Sequence, residues 1–185
     1  MIYDLRGTSG SGKSYVAHRL IEEDGSAEQR DDSDVEWGFP VMTFLPSRNL
    51  MLLGTYDTQC GGCDSLGSRT DQQYLCDLAL KLSREHDVFL EGMLVSHTFL
   101  RWHRLALKVP DYRFRFLDTP LDTCIERVKA RRKAKGNHRP YDPKNLVKDW
   151  HQDRKVMQKL YEAGHSVEWV NHQTSYEEVS RELAR

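Results

Sequence analysis

The chain has 185 residues, 38% of them hydrophobic and 30% charged, and a formal net charge of −1. That length suits one compact domain spanning residues 1–185, the apolar fraction excludes wholesale disorder, and a charge near zero argues against a protein that coats nucleic acid indiscriminately. No apolar run approaches the ~20 residues of a membrane-spanning helix, and Met1-Ile2-Tyr3-Asp4-Leu5 lacks the basic and apolar regions of a signal peptide, so the expected location is the cytoplasm with no membrane contact. Four cysteines, Cys60, Cys63, Cys76 and Cys124, then read as reduced thiols.

In chain order, residues 2–5 are a short strand that runs into Gly7-Thr8-Ser9-Gly10-Ser11-Gly12-Lys13-Ser14. A helix follows, with Val16, Ala17, Leu20 and Ile21 on one face and Gly25 at its C-terminus. Residues 22–36 carry eight acids against Arg30 alone and read as a solvated loop. Residues 41–45 and 50–56 are strands separated by the turn Pro46-Ser47-Arg48-Asn49, and a Gly-rich loop, Cys60-Gly61-Gly62-Cys63-Asp64, comes next. Thr70 and Gln73 form a capping-box pattern for a helix whose stripe is Tyr74, Leu75, Leu78, Ala79 and Leu82.

Val88, Phe89 and Leu90 make a buried strand ending at Glu91-Gly92, residues 99–107 a helix stopped by Pro110, and Phe114, Phe116 and Leu117 another strand. After Asp118-Thr119-Pro120 a helix turns Leu121, Cys124, Ile125 and Val128 inward. Residues 136–143 read as a loop, 145–163 as a long helix, 167–170 as a last strand, and a short helix capped by Thr174 or Ser175 ends the chain. Residues 101–139 hold twelve Lys/Arg against four acids, a local charge of +8. Strands alternating with helices predict an α/β fold with a mostly parallel sheet covered on both faces.

Gly7 to Ser14 satisfies G-x-x-x-x-G-K-[ST] after a strand and at the first turn of a helix. Such a loop curls so that backbone N–H groups point at phosphate oxygens, with Lys13 reaching the β- and γ-phosphates of ATP and the Ser14 hydroxyl ligating Mg²⁺. Asp64-Ser65-Leu66-Gly67 fits D-x-x-G loosely, but the chain has no [NT]-K-x-D segment to read guanine. Asp57 and Asp64 are candidates for a general base near the end of the second or third strand. Cys60, Cys63, Cys76 and His86 are too irregularly spaced for a zinc site.

The Gly7 to Ser14 loop, Leu90-Glu91-Gly92, Phe116-Leu117-Asp118-Thr119-Pro120, and Cys124-Ile125-Glu126-Arg127-Val128 with Arg131-Arg132 resemble the small P-loop nucleoside and nucleotide kinases over most of the chain. The resemblance implies a three-layer sandwich with a five-stranded sheet and a helical lid at roughly residues 127–143. It places Gly7, Thr8, Ser9, Gly10, Ser11, Gly12, Lys13, Ser14 and Arg132 around ATP, with Arg127 and Arg131 stabilising the transferring phosphoryl group. It also implies that Glu91 holds Mg²⁺ or accepts the acceptor's proton, although Gly92 stands where these kinases commonly carry Arg.

Gly54-Thr55-Tyr56-Asp57 and Cys60-Gly61-Gly62-Cys63-Asp64, followed by Glu91-Gly92, resemble bacteriophage kinases of the thymidylate-kinase-like group, some of which phosphorylate 5-hydroxymethyluracil in DNA. A DNA acceptor would suit Arg101, Arg104, Arg113, Lys129, Lys133, Lys135 and Arg139, with Trp102, Phe114 and Phe116 either stacking on bases or in the core. The rival readings are a kinase of free deoxynucleoside monophosphates and an NTP-binding switch or interaction module with slow hydrolysis.

Overall fold

The computed structural model describes residues 1–32, 39–66 and 72–184. Seven strands, β1 (Ile2–Arg6), β2 (Glu28–Arg30), β3 (Met42–Leu45), β4 (Leu50–Leu53), β5 (Asp87–Glu91), β6 (Tyr112–Leu117) and β7 (Ser166–Val170), form one sheet in the order β2-β3-β4-β5-β1-β6-β7. From β4 to β7 the five strands run parallel, which is the sheet expected from the sequence. β3 and β2 widen it with antiparallel pairs. The reason is chain length: Leu45 pairs with Leu50 across a single 3-10 turn at Pro46–Arg48, far short of the dozen or so residues a parallel crossover needs.

Eight helices, α1 (Lys13–Asp24), α2 (Cys63–Leu66), α3 (Gln72–Leu82), α4 (Met93–Ser96), α5 (Leu100–Ala106), α6 (Leu121–Ala134), α7 (Lys144–Glu162) and α8 (Ser175–Leu183), complete the architecture among the described residues. The period-two alternation of β1 sorts them into layers. Tyr3 and Leu5 pack with Val16, Leu20, Val179 and Leu183 of α1 and α8, whereas Ile2 packs with Leu75, Trp102 and Val156 of α3, α5 and α7. A third, smaller cluster of Cys124, Val128 and Leu146 fastens α6 to α7. The chain leaves β1 toward one edge of the sheet and β6 toward the other, so a crevice opens at the carboxyl ends of the central strands, where open parallel sheets build their sites.

Several boundaries differ from those expected. The acidic stretch is not simply a solvated loop: Glu22, Glu23 and Asp24 close α1, Glu28 and Arg30 lie in β2, and Asp32 is buried, bonded to Tyr74 and Lys81. A carboxylate with two donors is satisfied without water, which periodicity cannot reveal. β4 stops at Leu53, four residues before Asp57, because Gly54 turns the chain with φ +98°. The sequence does not predict α2 and α4; each is a single turn of four residues, too short for apolar periodicity to register. Thr70 and Gly67 lie outside the described residues. Trp102, Phe114 and Phe116 are core residues, 0%, 0% and 1% exposed, and therefore cannot stack on bases.

Charge is also buried in the central strand. Asp4 and Arg6 are both fully buried and doubly bonded, Nε to Oδ1 at 2.9 Å and Nη2 to Oδ2 at 2.7 Å. Tyr112 donates to the same carboxylate at 2.9 Å, Arg6 Nη1 reaches the Thr98 carbonyl at 3.1 Å, and the guanidinium lies over the Phe114 ring. Behind the Gly7 to Ser14 loop, Asp153 of α7 is 3% exposed and faces His97 Nε2 at 3.3 Å. Burial pushes the Asp153 carboxyl up to about 7 and the His97 imidazole down, so both are driven toward their neutral forms.

Two expectations follow for stability. Asp4→Ala leaves the Arg6 charge buried without its carboxylate and should cost about 3–5 kcal/mol in urea unfolding, with the Asp4→Leu/Arg6→Met double variant losing less; a single variant as stable as wild type would contradict the pair's role. An acid whose pKa is raised in the folded state binds more protons there, so wild type should lose stability as pH rises from about 4 to about 7. Asp153→Asn should remove that part of the slope and gain on wild type toward pH 8; a difference in urea midpoint that stays constant across this range would refute it.

Candidate active site

The Gly7 to Ser14 loop is a curl whose Gly7, Thr8, Gly10, Ser11 and Gly12 carbonyls are turned to donors within the chain. Lys13 Nζ, 94% buried with its residue, holds the carbonyls of Gly7 at 2.5 Å and Thr8 at 3.2 Å. Thr119 donates to the Ser11 carbonyl at 2.8 Å, Arg127 Nη1 reaches the carbonyls of Gly10 and Ser11 at 3.2 Å each, and the Gly12 carbonyl accepts Val16 N–H. Gly7 N–H is taken by Ser96 Oγ and Ser11 N–H by the Thr8 carbonyl; the other loop amides are left for the concave side, together with the first-turn amides of α1, which have no carbonyl one turn back. Gly10, at φ +82°, is required by packing as well as by conformation: a Cβ there would sit 2.6 Å from the Cys124 carbonyl oxygen of α6.

Across the crevice stands Glu91, the last residue of β5, 1% exposed. Its Oε1 accepts the Ser14 hydroxyl at 3.0 Å. Burial pushes this carboxyl up to about 7, opposed by the Lys13 charge and the Ser14 hydrogen bond and reinforced by the Asp64 carboxylate. The wall beside it is residues 54–62, folded so tightly that a Cβ on Gly54 would lie 1.9 Å from the Gly62 carbonyl oxygen and one on Gly62 would lie 2.5 Å from Glu91 Oε1. Thr55 and Gly62 bridge, and the Ser65 hydroxyl bonds both Thr55 N–H and the Gly62 carbonyl.

The two aspartates are placed differently from Glu91. Asp57 is exposed, accepts the Gln29 side-chain amide, and does not line the crevice. Asp64 lines it, but its oxygens accept the N–H groups of Met93 at 2.7 Å and Leu94 at 3.3 Å, so the carboxylate starts α4. Arg127 and Arg131 both line the crevice from α6, and Arg131 Nη1 lies 3.1 Å from Cys60 Sγ, which brings α6 against the acceptor-side wall. Arg132 is not with them; it sits over the Tyr141 ring at 5.2 Å on another face of the helix. Of the loop residues, Ser9, Gly10, Gly12, Lys13 and Ser14 line the crevice, whereas Gly7, Thr8 and Ser11 back onto a small space beside Asp153.

The crevice encloses about 730 Å³ and also exposes Tyr15, His18, Gln59 and Met93, which sequence reasoning did not single out. The available signal was helical spacing: Ser14 and His18 are one turn apart on α1, with Tyr15 beside them, opposite the buried Val16, Ala17 and Leu20. Cys63 and Cys76 are buried in the core and His86 bonds Asn49. Within the basic segment, Arg113 is engaged by Asp111 and Arg115 by Glu182, while Arg101, Arg104, Lys129, Lys133, Lys135 and Arg139 are exposed. Among the described residues no helix is long and apolar enough to cross a membrane.

A nucleoside triphosphate with Mg²⁺ fits what these residues offer. On the crevice side the loop presents amides and a lysine to an anion. Ser14 Oγ and Glu91 Oε1 are adjacent hard oxygen ligands. Mg²⁺ takes one or two protein oxygens and completes its shell with phosphates and water, a demand that this pair meets.

Comparison with known proteins agrees with that chemistry. A curated 5-hmdU DNA kinase of Pseudomonas phage PaMx11 is 35% identical over 167 residues, covering 88% of this chain and 86% of that protein. The 5-hmdU DNA kinase 1 of Salmonella phage ViI is 35% identical over 135 residues, 70% of this chain, which spans 59% of that longer protein. Deoxyadenosine kinase from M. mycoides with bound dATP aligns along the whole of both chains at 12% identity and a TM-score of 0.42, too loose a match to argue from. The family model described as 5-hmdU DNA kinase matches residues 1–163, and the chain belongs to that family.

Proposed function

We propose that this kinase transfers the γ-phosphoryl group of ATP to the hydroxymethyl oxygen of 5-hydroxymethyluracil in DNA. The observation that carries the reading is the convergence of Lys13, Ser14 and Glu91 on one crevice that a phosphate loop closes on one side and the wall at residues 54–62 on the other. The names of the phage relatives support the acceptor.

In this reading the loop amides and Lys13 bind and orient the triphosphate, and Arg127 and Arg131 face the transferring group from α6. Glu91 takes the proton of the attacking hydroxyl: the new bond forms between the hydroxymethyl oxygen and the γ-phosphorus, the bond to the β,γ-bridging oxygen breaks, and ADP leaves with that electron pair. Ser14, with Glu91 beside it, would hold Mg²⁺, which neutralises charge on the β- and γ-phosphates when bound.

A base in duplex DNA must leave the stack to reach the crevice. The Tyr15 ring, 56% exposed on the crevice wall, offers such a base a stacking face, and Arg101, Arg104, Lys129, Lys133, Lys135 and Arg139 supply charge for the backbone. The place of action in this reading is the cytoplasm of an infected host.

Labelled ATP offered in parallel with hydroxymethyluracil-containing DNA and a panel of deoxynucleoside monophosphates tests the acceptor. Label is expected in the DNA; label only in the monophosphates would sink the DNA reading, and ATP binding with no acceptor labelled would favour a switch. Lys13→Ala should reduce transfer by on the order of 10²-fold or more while the protein stays folded. Glu91→Gln should reduce the single-turnover rate by about 10²–10⁴-fold with ATP affinity little changed, and equal rates for variant and wild type would remove Glu91 from the chemistry.

A further inference from the structure

The two halves of the crevice hang from neighbouring strands. The phosphate loop follows β1, Glu91 ends β5, and the register between them ends at the pair Leu5 and Glu91. Beyond that point the chains diverge, β1 into Gly7 and β5 into Gly92 and α4. Ser14 reaches Glu91 and Ser9 reaches Met93 across the gap, and a third side chain spans it at its root. Ser96, the last residue of α4, is fully buried; its Oγ accepts the Gly7 N–H at 3.1 Å and donates to the Gly92 carbonyl at 2.7 Å.

We propose that Ser96 is a positioning residue for phosphoryl transfer, its hydroxyl setting the spacing between the first residue of the phosphate loop and the residue that follows Glu91. A hydroxyl is the smallest group able to donate to one and accept from the other at once. The Gly92 carbonyl keeps a second bond, from Ser96 N–H at 3.0 Å, so α4 does not depend on the hydroxyl. The Gly7 amide is the group that loses its acceptor when the hydroxyl is removed, and it opens the loop that holds the phosphates. Arg6, bonded to the Thr98 carbonyl at 3.1 Å, ties the same two segments one step further from the crevice and keeps the fold together without Ser96.

The inference rests on the reading that Glu91 serves transfer to DNA, and the test separates the two. Single-turnover transfer from labelled ATP to hydroxymethyluracil-containing DNA, ATP affinity and the thermal midpoint are measured for wild type, Ser96→Ala, Glu91→Gln and the double variant of the whole chain. A wild-type chain that binds ATP and labels no DNA overturns the functional reading, and this inference with it, before any variant is compared. If wild type transfers, Ser96→Ala should slow transfer about tenfold or more with ATP affinity within about threefold, since a misplacement well under 1 Å already costs rate. On the Glu91→Gln background the same substitution should cost less than about twofold, because the two act through one geometry.

A rate unchanged in Ser96→Ala overturns the inference. So does an equal loss on both backgrounds, or a loss of ATP affinity in step with the rate, since either marks a general structural effect. Ser96→Thr keeps the hydroxyl and should recover transfer to within about threefold of wild type; a folded threonine variant as slow as the alanine one also counts against Ser96, and the four-variant cycle decides the matter whether or not threonine fits.

Discussion

A phosphate-binding loop works only if its own carbonyls are satisfied from outside, because a carbonyl facing the cradle would repel the anion that the amides attract. Here that requirement reaches well beyond the loop. Lys13 takes the Gly7 and Thr8 carbonyls from within the motif, but those of Gly10 and Ser11 are taken by Thr119 and Arg127, so the segment after β6 and helix α6 must stand where they do for the amides to face inward. Gly10 presses against the Cys124 carbonyl for the same reason: any side chain there would push α6, and with it Arg127, away from the loop. Residues 117 positions apart are thus fixed to one another by ordinary backbone accounting.

How much of this was legible depended on whether the determinant was local. The glycine-rich loop is eight consecutive residues with a lysine and a serine at fixed offsets, and its place between β1 and α1 could be read directly. A mostly parallel sheet followed from apolar runs alternating with helical stripes, and the count of five strands from the family resemblance alone. What could not be read was register and pairing across distance. Glu28 to Arg30 has no strand-like composition; it becomes β2 because β3 presents an unpaired edge. Likewise Asp57, Asp64 and Glu91 are equivalent carboxylates in the sequence, and only the fold shows that one bonds a side-chain amide, one starts a helix, and one faces Ser14 from a nearly closed position. Arg132 entered only as the neighbour of the matched Arg127 and Arg131, and helix phase turns it onto Tyr141.

Charge shows the same limit. The total of −1 conceals an acidic stretch and a basic one, and the fold alters both. Part of the acidic stretch is internal, with Asp32 bonded to Tyr74 and Lys81, while two arginines of the basic stretch are consumed by Asp111 and Glu182. Composition counts charges, whereas a ligand meets only those left unengaged.

The crossing of Gly54 over Gly62 has a consequence for how acceptor preference can diverge within the family. Backbone packed to within a Cβ's reach of backbone, and of Glu91, has no slack for a larger residue at either position. That wall is therefore closed to stepwise substitution. The less constrained part of the crevice lining is Tyr15 on α1, 56% exposed, whereas His18 is tied to that same wall by its bond to the Thr58 carbonyl and Met93 to the phosphate loop by the Ser9 hydroxyl. Changes of substrate are then expected to be recorded first at Tyr15, leaving the glycine pair as the fixed edge against which a new side chain is fitted.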